Sequence, residues 1–297
     1  MKTKAYTLFL LLWSVYGAFS QKETDTLPQL DLHKIALINQ SDSYFTFPTD
    51  VGNIEPLIFE ANINPSFVIR ERKDSRILAL LTPQIILRMY NEESYPVRTP
   101  SYIPQISFYY LANKAAALNY SVLFGKIAHH SNGQEGNFYN EDHTINLKSG
   151  SFSTNFLEFG FIKTTYSNRL KAIKTIKSSL EIHPKSWMTQ ELKGQFSRLR
   201  WHNSFTSFKL PLKTSHNGRA NFSLKAEVTL LLDDYNDLEL FDLERLNAGL
   251  TFYYHPKFLE DVGLFVQFYH GMDYYNIYFN RQLSIVRFGI MTEILRF

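Results

Sequence analysis

His129, Ser131, Asn132 and Gly133 put an imidazole and a hydroxyl two residues apart, with a carboxamide and a glycine directly after them. Hydrolysis or transfer of an acyl group needs a nucleophilic oxygen, a base to take its proton, and N–H donors for the charge that develops on the carbonyl oxygen. The spacing suits that chemistry in an extended segment, because side chains at i and i+2 of a β-strand share a face. Leu123 and Ile127 precede the pair on the same face, so the polar residues end an apolar stripe. A His-x-Ser pair by itself is ordinarily incidental, and its meaning depends on the elements that hold it.

Those elements read as strands of a barrel. Phe222, Leu224, Ala226, Val228, Leu230 and Leu232 alternate with Asn221, Ser223, Lys225, Glu227 and Thr229. The pattern returns at Leu246, Ala248, Leu250, Phe252 and Tyr254, and again at Val262, Leu264, Val266 and Phe268. Asp233 to Asp237 form a solvated turn between the first two, since they lack the spacing and the glycine of a twelve-residue calcium loop. Arg76 to Leu81, Gln84 to Tyr90, Gln105 to Ala112 and Ala117 to His130 are further predicted strands, and Asn91 to Pro104 is a polar, proline-containing loop. Short strands with two unlike faces and polar connections predict an all-β, antiparallel transmembrane barrel. Val286, Phe288, Ile290 and Ile294 continue the alternation toward a terminal Phe297 like that of outer-membrane proteins; its odd position requires a bulge or a different register.

Composition agrees with that class. Aromatic residues make up 15% of the 297 residues, with 25 Phe and 18 Tyr, while mean hydropathy is only −0.22. A barrel hides its lipid-facing residues in alternation and carries aromatic girdles. The absence of cysteine excludes disulfide scaffolds and thiolate metal sites. A net charge of +3, with no basic run interleaved with aromatics, gives no nucleic-acid partner. Lys2 and Lys4, the apolar run Thr7 to Val15, and Ala18-Phe19-Ser20 predict a secretory signal over residues 1–20. Residues 21–60 are then a polar lead-in, with weak alternation in Tyr44-Phe45-Thr46-Phe47, and residues 61–297 the barrel domain.

Several blocks resemble the outer-membrane phospholipase A family of bacteria. One is Asn91-Glu92-Glu93-Ser94, continuing through Pro96, Arg98, Tyr102, Pro104 and Gln105. Another is His129-x-Ser131-Asn132-Gly133, and a third is Val266-Gln267-Phe268-Tyr269 with Tyr278-Phe279-Asn280-Arg281-Gln282, running to Phe297. They stand in the family's order from residue 91 onward.

The resemblance implies a barrel of twelve strands in the bacterial outer membrane with its catalytic residues on the outer wall. It implies a phospholipase that hydrolyses the 1-acyl, and also the 2-acyl, ester of glycerophospholipids. Ser131 would be the nucleophile, His129 the base and Asn155 the orienting residue, with the N–H groups of Ser131 and Gly133 forming the oxyanion hole. Asn155 lies 24 positions after Ser131, a longer connection than the family's, so Asn137 and Asn140 are rivals within it. His130 is expected to face the lumen or cap the loop. The family also binds calcium between two copies of the chain. This implies Ca2+ as cofactor, a homodimer, and oxygen ligands from Ser94 of the partner copy, from the Gln134 carbonyl, and from Ser151 or, with the insertion placed otherwise, Tyr139. Glu135, Glu141 and Asp142 could add ligands. The alternatives are a non-enzymatic outer-membrane pore or structural barrel, and a lipid A deacylase with the same His/Ser arrangement.

Overall fold

The computed structural model describes residues 30–292 apart from 48–56, 72–75, 114–118, 210–221, 237, 240–241, 257 and 260. The expected signal and the terminal Phe297 lie outside the described residues. A short helix, α1 (Leu32–Ile38), precedes the strands β1 (Tyr44–Thr46), β2 (Leu57–Ile63), β3 (Phe67–Glu71), β4 (Ile77–Tyr90), β5 (Ser101–Leu111), β6 (Asn119–Ser131) and β7 (Ser153–Ser167). After them come β8 (Ala172–Ile182), β9 (Leu199–Lys209), β10 (Phe222–Leu231), β11 (Leu246–Tyr254), β12 (Val262–Met272) and β13 (Gln282–Thr292). Every pairing is antiparallel between neighbours, and the sheet closes because β2 pairs with both β1 and β4 while β1 pairs with β13. β2 and β3 lie end to end along β4, through Leu57↔Tyr90 and Phe67↔Leu81, and so occupy one lane. The barrel therefore has twelve lanes, as the resemblance implies.

Alternation decides which face meets which medium. On β6, Leu123 and Ile127 are 52% and 45% exposed, whereas Tyr120, Val122, Phe124 and Ala128 are buried inside. Phe222 and Val228 of β10, Phe252 of β11, Leu264, Val266 and Phe268 of β12, and Phe288 of β13 are likewise exposed large hydrophobics. In water so many would be a liability; on a barrel wall they are the lipid face. At about 3.3 Å per residue, the ten steps from Tyr120 to His130 run roughly 33 Å along the strand, which at the usual barrel tilt spans about 25 Å, the height of an outer-membrane apolar band.

Three elements differ from the sequence reading. Barrel strands begin at Tyr44, upstream of residue 61, and Tyr44-Phe45-Thr46 is the lane that closes onto β13. Arg76 to Leu81 and Gln84 to Tyr90 belong to one strand that runs through Pro83. Pro83 faces Pro104, so the two missing N–H donors coincide at one place in the ladder. The Asp233 turn is more than a solvated connection: its carboxylate accepts from Ser197 Oγ at 2.6 Å, Arg198 N at 2.9 Å and Leu199 N at 3.2 Å, and Tyr235 beside it is buried.

The lumen is filled at both ends. Asp31 caps α1, accepting from Lys34 N at 2.7 Å, and the helix packs Ile35, Ala36 and Ile38 against Leu78, Leu80, Tyr120, Val122 and Ile162. Tyr109 Oη accepts from Asn39 Nδ2 at 3.0 Å and from Gln40 Nε2 at 2.7 Å, fixing the helix to the wall. At the end where β6 finishes, loop residues Phe138, Phe152, Leu192, Phe196, Tyr275, Ile277 and Phe279 form a second apolar cluster. Between them lies a polar cavity of about 430 Å³. Its charges pair: Glu158 meets Lys126 at 2.9 Å and Lys177 at 2.8 Å. At the closing seam, Glu60 takes Arg88 Nε at 2.6 Å, Arg287, and the hydroxyls of Tyr44 at 2.5 Å and Tyr274 at 2.6 Å. Arg88 also reaches Asp273 with both terminal nitrogens, at 2.7 and 2.9 Å.

Two outcomes are expected. Glu60→Leu removes the acceptor that two buried guanidinium groups share, and such a break costs about 3–5 kcal/mol; urea unfolding in detergent should show that loss. Planar bilayers containing the protein should show no steady conductance, because α1 and the apolar cap block the lumen; a stable open channel would contradict the plugged interior.

Candidate active site

His129 and Asn155 are direct cross-strand partners on β6 and β7, and Ser131 faces Ser153 in the next same-face pair. Cβ atoms of such partners stand about 4.5–5.5 Å apart, so the side chains can meet. His129 Nδ1 and Asn155 Oδ1 lie 2.9 Å apart. Because Oδ1 only accepts, Nδ1 carries the proton and Nε2 is left as the basic nitrogen. The pair belongs to the face of Leu123, Ile127 and exposed Phe159 and Phe161, so it opens toward lipid. No hydrogen bond joins Ser131 Oγ to His129 among the described residues. Approach of a nucleophile to its base commonly tightens only with substrate in place.

Adjacent residues face inward. His130 stacks edge-on against Phe152 at 4.9 Å and lines the polar cavity, so it faces the lumen as expected. Thr154 Oγ1 lies 2.9 Å from His183 Nδ1, whose Nε2 meets Glu181 at 2.8 Å. Burial holds the His183 imidazole below its ordinary pKa, against the opposing pull of its bond to Glu181. Of these three imidazoles, the lipid-side His129 is the one paired with a carboxamide.

After Ser131 the chain leaves the sheet through Asn132, which sequence reasoning named without a role. It is 2% exposed. Its Nδ2 donates to Gly150 O at 2.8 Å, while its Oδ1 accepts from Phe152 N at 3.0 Å and Gln134 N at 3.3 Å. One carboxamide thereby clamps both feet of the 134–150 loop. Gly133 next to it has φ +66°, a left-handed conformation that suits glycine, and an added Cβ would stand 3.4 Å from the Tyr102 ring. Its N–H makes no hydrogen bond among the described residues and is available as a donor.

The long loop is a self-supporting hairpin rather than part of the catalytic pair. Asn140 Nδ2 donates to Thr144 Oγ1 at 3.0 Å, and the Asn137 carbonyl accepts from Asn146 Nδ2 at 3.1 Å. Neither rival asparagine bonds to His129. Hydrogen bonds from the Thr144 hydroxyl and N–H hold the Asp142 carboxyl below its ordinary pKa. Exposed Glu135, Glu141 and Asp142 lie along this hairpin.

Of the expected metal-binding groups, Gln134 and Ser151 come together at the loop's feet: Ser151 N donates to Gly136 O at 3.0 Å, and Gln134 N and Phe152 N share the Asn132 oxygen. The Gln134 carbonyl and Ser151 hydroxyl take part in no hydrogen bond among the described residues. Both are hard oxygen donors of the kind calcium takes, so the pair fits that ion. Tyr139 is committed elsewhere, its Oη accepting from Gln195 Nε2 at 2.6 Å. Ser94 is exposed on the β4–β5 loop and hydrogen bonds to neither. That loop leans on the hairpin through Tyr95 Oη, which donates to Lys148 O at 3.0 Å. No cluster of three or more His, Cys, Asp or Glu side chains with metal-holding geometry occurs among the described residues.

Sequence reasoning also missed Trp187. Its carbonyl accepts from Asn155 Nδ2 at 3.0 Å. No residue pattern signals a backbone carbonyl, so only the fold could reveal it.

Barrel and site together define a twelve-lane β-barrel of the bacterial outer-membrane type, with an imidazole, a hydroxyl and a carboxamide at one end of its lipid-facing wall. Solved structures share this architecture. Outer membrane phospholipase A from Escherichia coli superposes with a TM-score of 0.58 at 13% identity, covering 89% of this chain and all of that one. An active-site mutant of that protein gives 0.56 at 14%, covering 93% and 95%. The Salmonella typhi outer membrane phospholipase dimer with bound calcium gives 0.55 at 13%, covering 86% and 91%. At this identity the likeness is one of fold. No protein-family profile and no curated protein matches the sequence.

Asn132→Ala should release the hairpin, leaving the buried Gly150 carbonyl and Phe152 N–H without their partner at about 1–3 kcal/mol each before relaxation. Limited proteolysis read by mass spectrometry should then cut within 134–150, where the unaltered protein resists.

Proposed function

We propose that the protein hydrolyses acyl esters of glycerophospholipids at the outer wall of its barrel, in the bacterial outer membrane. The observation that carries this reading is the 2.9 Å contact between His129 Nδ1 and Asn155 Oδ1 on the lipid-facing side, beside Ser131. A paired imidazole on a wall of Leu, Ile and Phe suits a substrate that arrives through the lipid.

The steps follow from the groups present. Ser131 Oγ forms a bond to the ester carbonyl carbon as its proton passes to His129 Nε2. The carbonyl oxygen, now anionic, is received by the Gly133 N–H, a donor worth about 3 to 4 kcal/mol in the transition state; the Ser131 N–H belongs to the β5–β6 ladder opposite Tyr102. Collapse breaks the bond to the glycerol oxygen, which takes the proton from Nε2 and leaves as lysophospholipid. Water, deprotonated by the same nitrogen, then releases the fatty acid from Ser131. Asn155 keeps the reactive tautomer throughout but, being neutral, adds no charge to stabilise the imidazolium.

Gln134 and Ser151, with Ser94 from a second copy, would hold calcium, and the ion when bound supplies positive charge near the oxyanion. This reading makes the working form a homodimer. It is supported by the free oxygens at the feet of the hairpin and by the calcium-bound dimer among the similar structures. A pore receives no support from a lumen filled at both ends.

Refolded protein in detergent micelles should release fatty acid from phosphatidylcholine, stop when calcium is chelated and resume when it is restored. Ser131→Ala and His129→Ala should each lose about a thousandfold or more. Undiminished hydrolysis by Ser131→Ala would overturn the assignment, and cleavage of lipid A alone would move it to another substrate class.

A further inference from the structure

Asn155 differs in one respect from a carboxylate in the same place. Either oxygen of a carboxylate accepts, whereas a carboxamide has one accepting end and one donating end. If the amide turned over, Nδ2 would face His129 Nδ1, the imidazole proton would have to move to Nε2, and the nitrogen that serves Ser131 would no longer be basic. Something must therefore prevent the flip.

The β7–β8 ladder stops at Leu157↔Ile182, two residues short of Asn155. Beyond it the chain turns at Pro184 through Lys185–Trp187 and comes back alongside β7, where Met188 bridges Thr154. The turn is tied by Trp187 N donating to Pro184 O at 2.9 Å. Thr189 then fastens the segment to Ser153: its N donates to Ser153 O at 2.8 Å, its hydroxyl donates to the same oxygen at 3.0 Å, and that hydroxyl accepts from Ser153 N at 3.1 Å. Held this way, the Trp187 carbonyl accepts from Asn155 Nδ2 at 3.0 Å. A carbonyl can only accept, so it fixes the amino end of the carboxamide and turns Oδ1 to His129.

We infer that the Trp187–Thr189 segment is the positioning element of the site: its backbone carbonyl selects the Asn155 orientation that sets the His129 tautomer, and Thr189 holds that carbonyl in place. The inference rests on the proposed hydrolase reading for its kinetic consequence. Its structural consequence, the location of one proton, can be read without any substrate.

The test compares Thr189→Val, which keeps the shape and loses the hydroxyl, with Thr189→Ser, which keeps the hydroxyl, each in the native and the Asn155→Asp backgrounds. Nitrogen NMR of the histidine-labelled protein in micelles should show His129 protonated on Nδ1 in the unaltered chain and in Thr189→Ser. Thr189→Val should add a population protonated on Nε2. In the Asn155→Asp background, where both oxygens accept, Thr189→Val should leave the tautomer unchanged. Phospholipid hydrolysis should follow, with kcat falling roughly tenfold to a hundredfold in Thr189→Val and KM unchanged, restored in Thr189→Ser. An unaltered tautomer in Thr189→Val, or the same change in both backgrounds, would overturn the inference. Absence of hydrolysis in the unaltered protein would instead overturn the proposed function, and the tautomer measurement would still decide the positioning role.

Discussion

Glu60 sits where the barrel must close, and a carboxylate with no exposure cannot stay ionised there without compensation. Arg88 comes to it from β4 on one side and Arg287 from β13 across β1, so the charge balance is met only when the first and last lanes are together. Arg88 carries the constraint upward by the two hydrogen bonds it donates to Asp273, and its guanidinium lies over the Tyr275 ring at 4.6 Å. Tyr275, Ile277 and Phe279 of that connection join the apolar cap, which also holds Phe152. Phe152 is tied to Asn132, one residue from Ser131. The seam at the back of the lumen and the hydroxyl on the outer wall are thus linked through packed and hydrogen-bonded neighbours.

The site uses the two-residue period of the strand to place unlike environments one residue apart. His129 and Asn155 look outward to lipid; His130 and Thr154, their immediate neighbours, look into the polar interior. Inward-pointing charges are paired with each other, as in Glu158 with Lys126 and Lys177, and these contacts stiffen the wall that carries the outward pair. A rigid wall suits acyl transfer, where small displacements of base and nucleophile are expensive.

How much of this could be read from the residues follows from the same period. Alternation identifies the strands around residues 222–268 and the stripe ending at His129 and Ser131, because lipid favours apolar residues at outward positions. The meeting of His129 with Asn155 needed the pairing register: the family resemblance implied Asn155 on the following strand with Asn137 and Asn140 as rivals, and the β6–β7 ladder sets Asn155 opposite His129. Tyr44–Thr46 was too short for its period to declare a strand, and Pro83 broke a run that the structure continues by setting it opposite Pro104. Asp233 passed for solvated surface because its partners, Ser197 and the Arg198 and Leu199 amides, come from a distant loop. The Trp187 carbonyl carries no residue-type signal at all.

The Asn132 clamp has a consequence for how this chain can change over generations. Because both feet of the 134–150 hairpin are fastened to one buried carboxamide and Phe138 is packed into the apolar cap, changes confined to the exposed turn at 140–144 leave Ser131 and Gly133 in place. Residues can be gained, lost or exchanged there at little entropic cost. The exposed turn at 140–144 is therefore the part of this loop freest to drift.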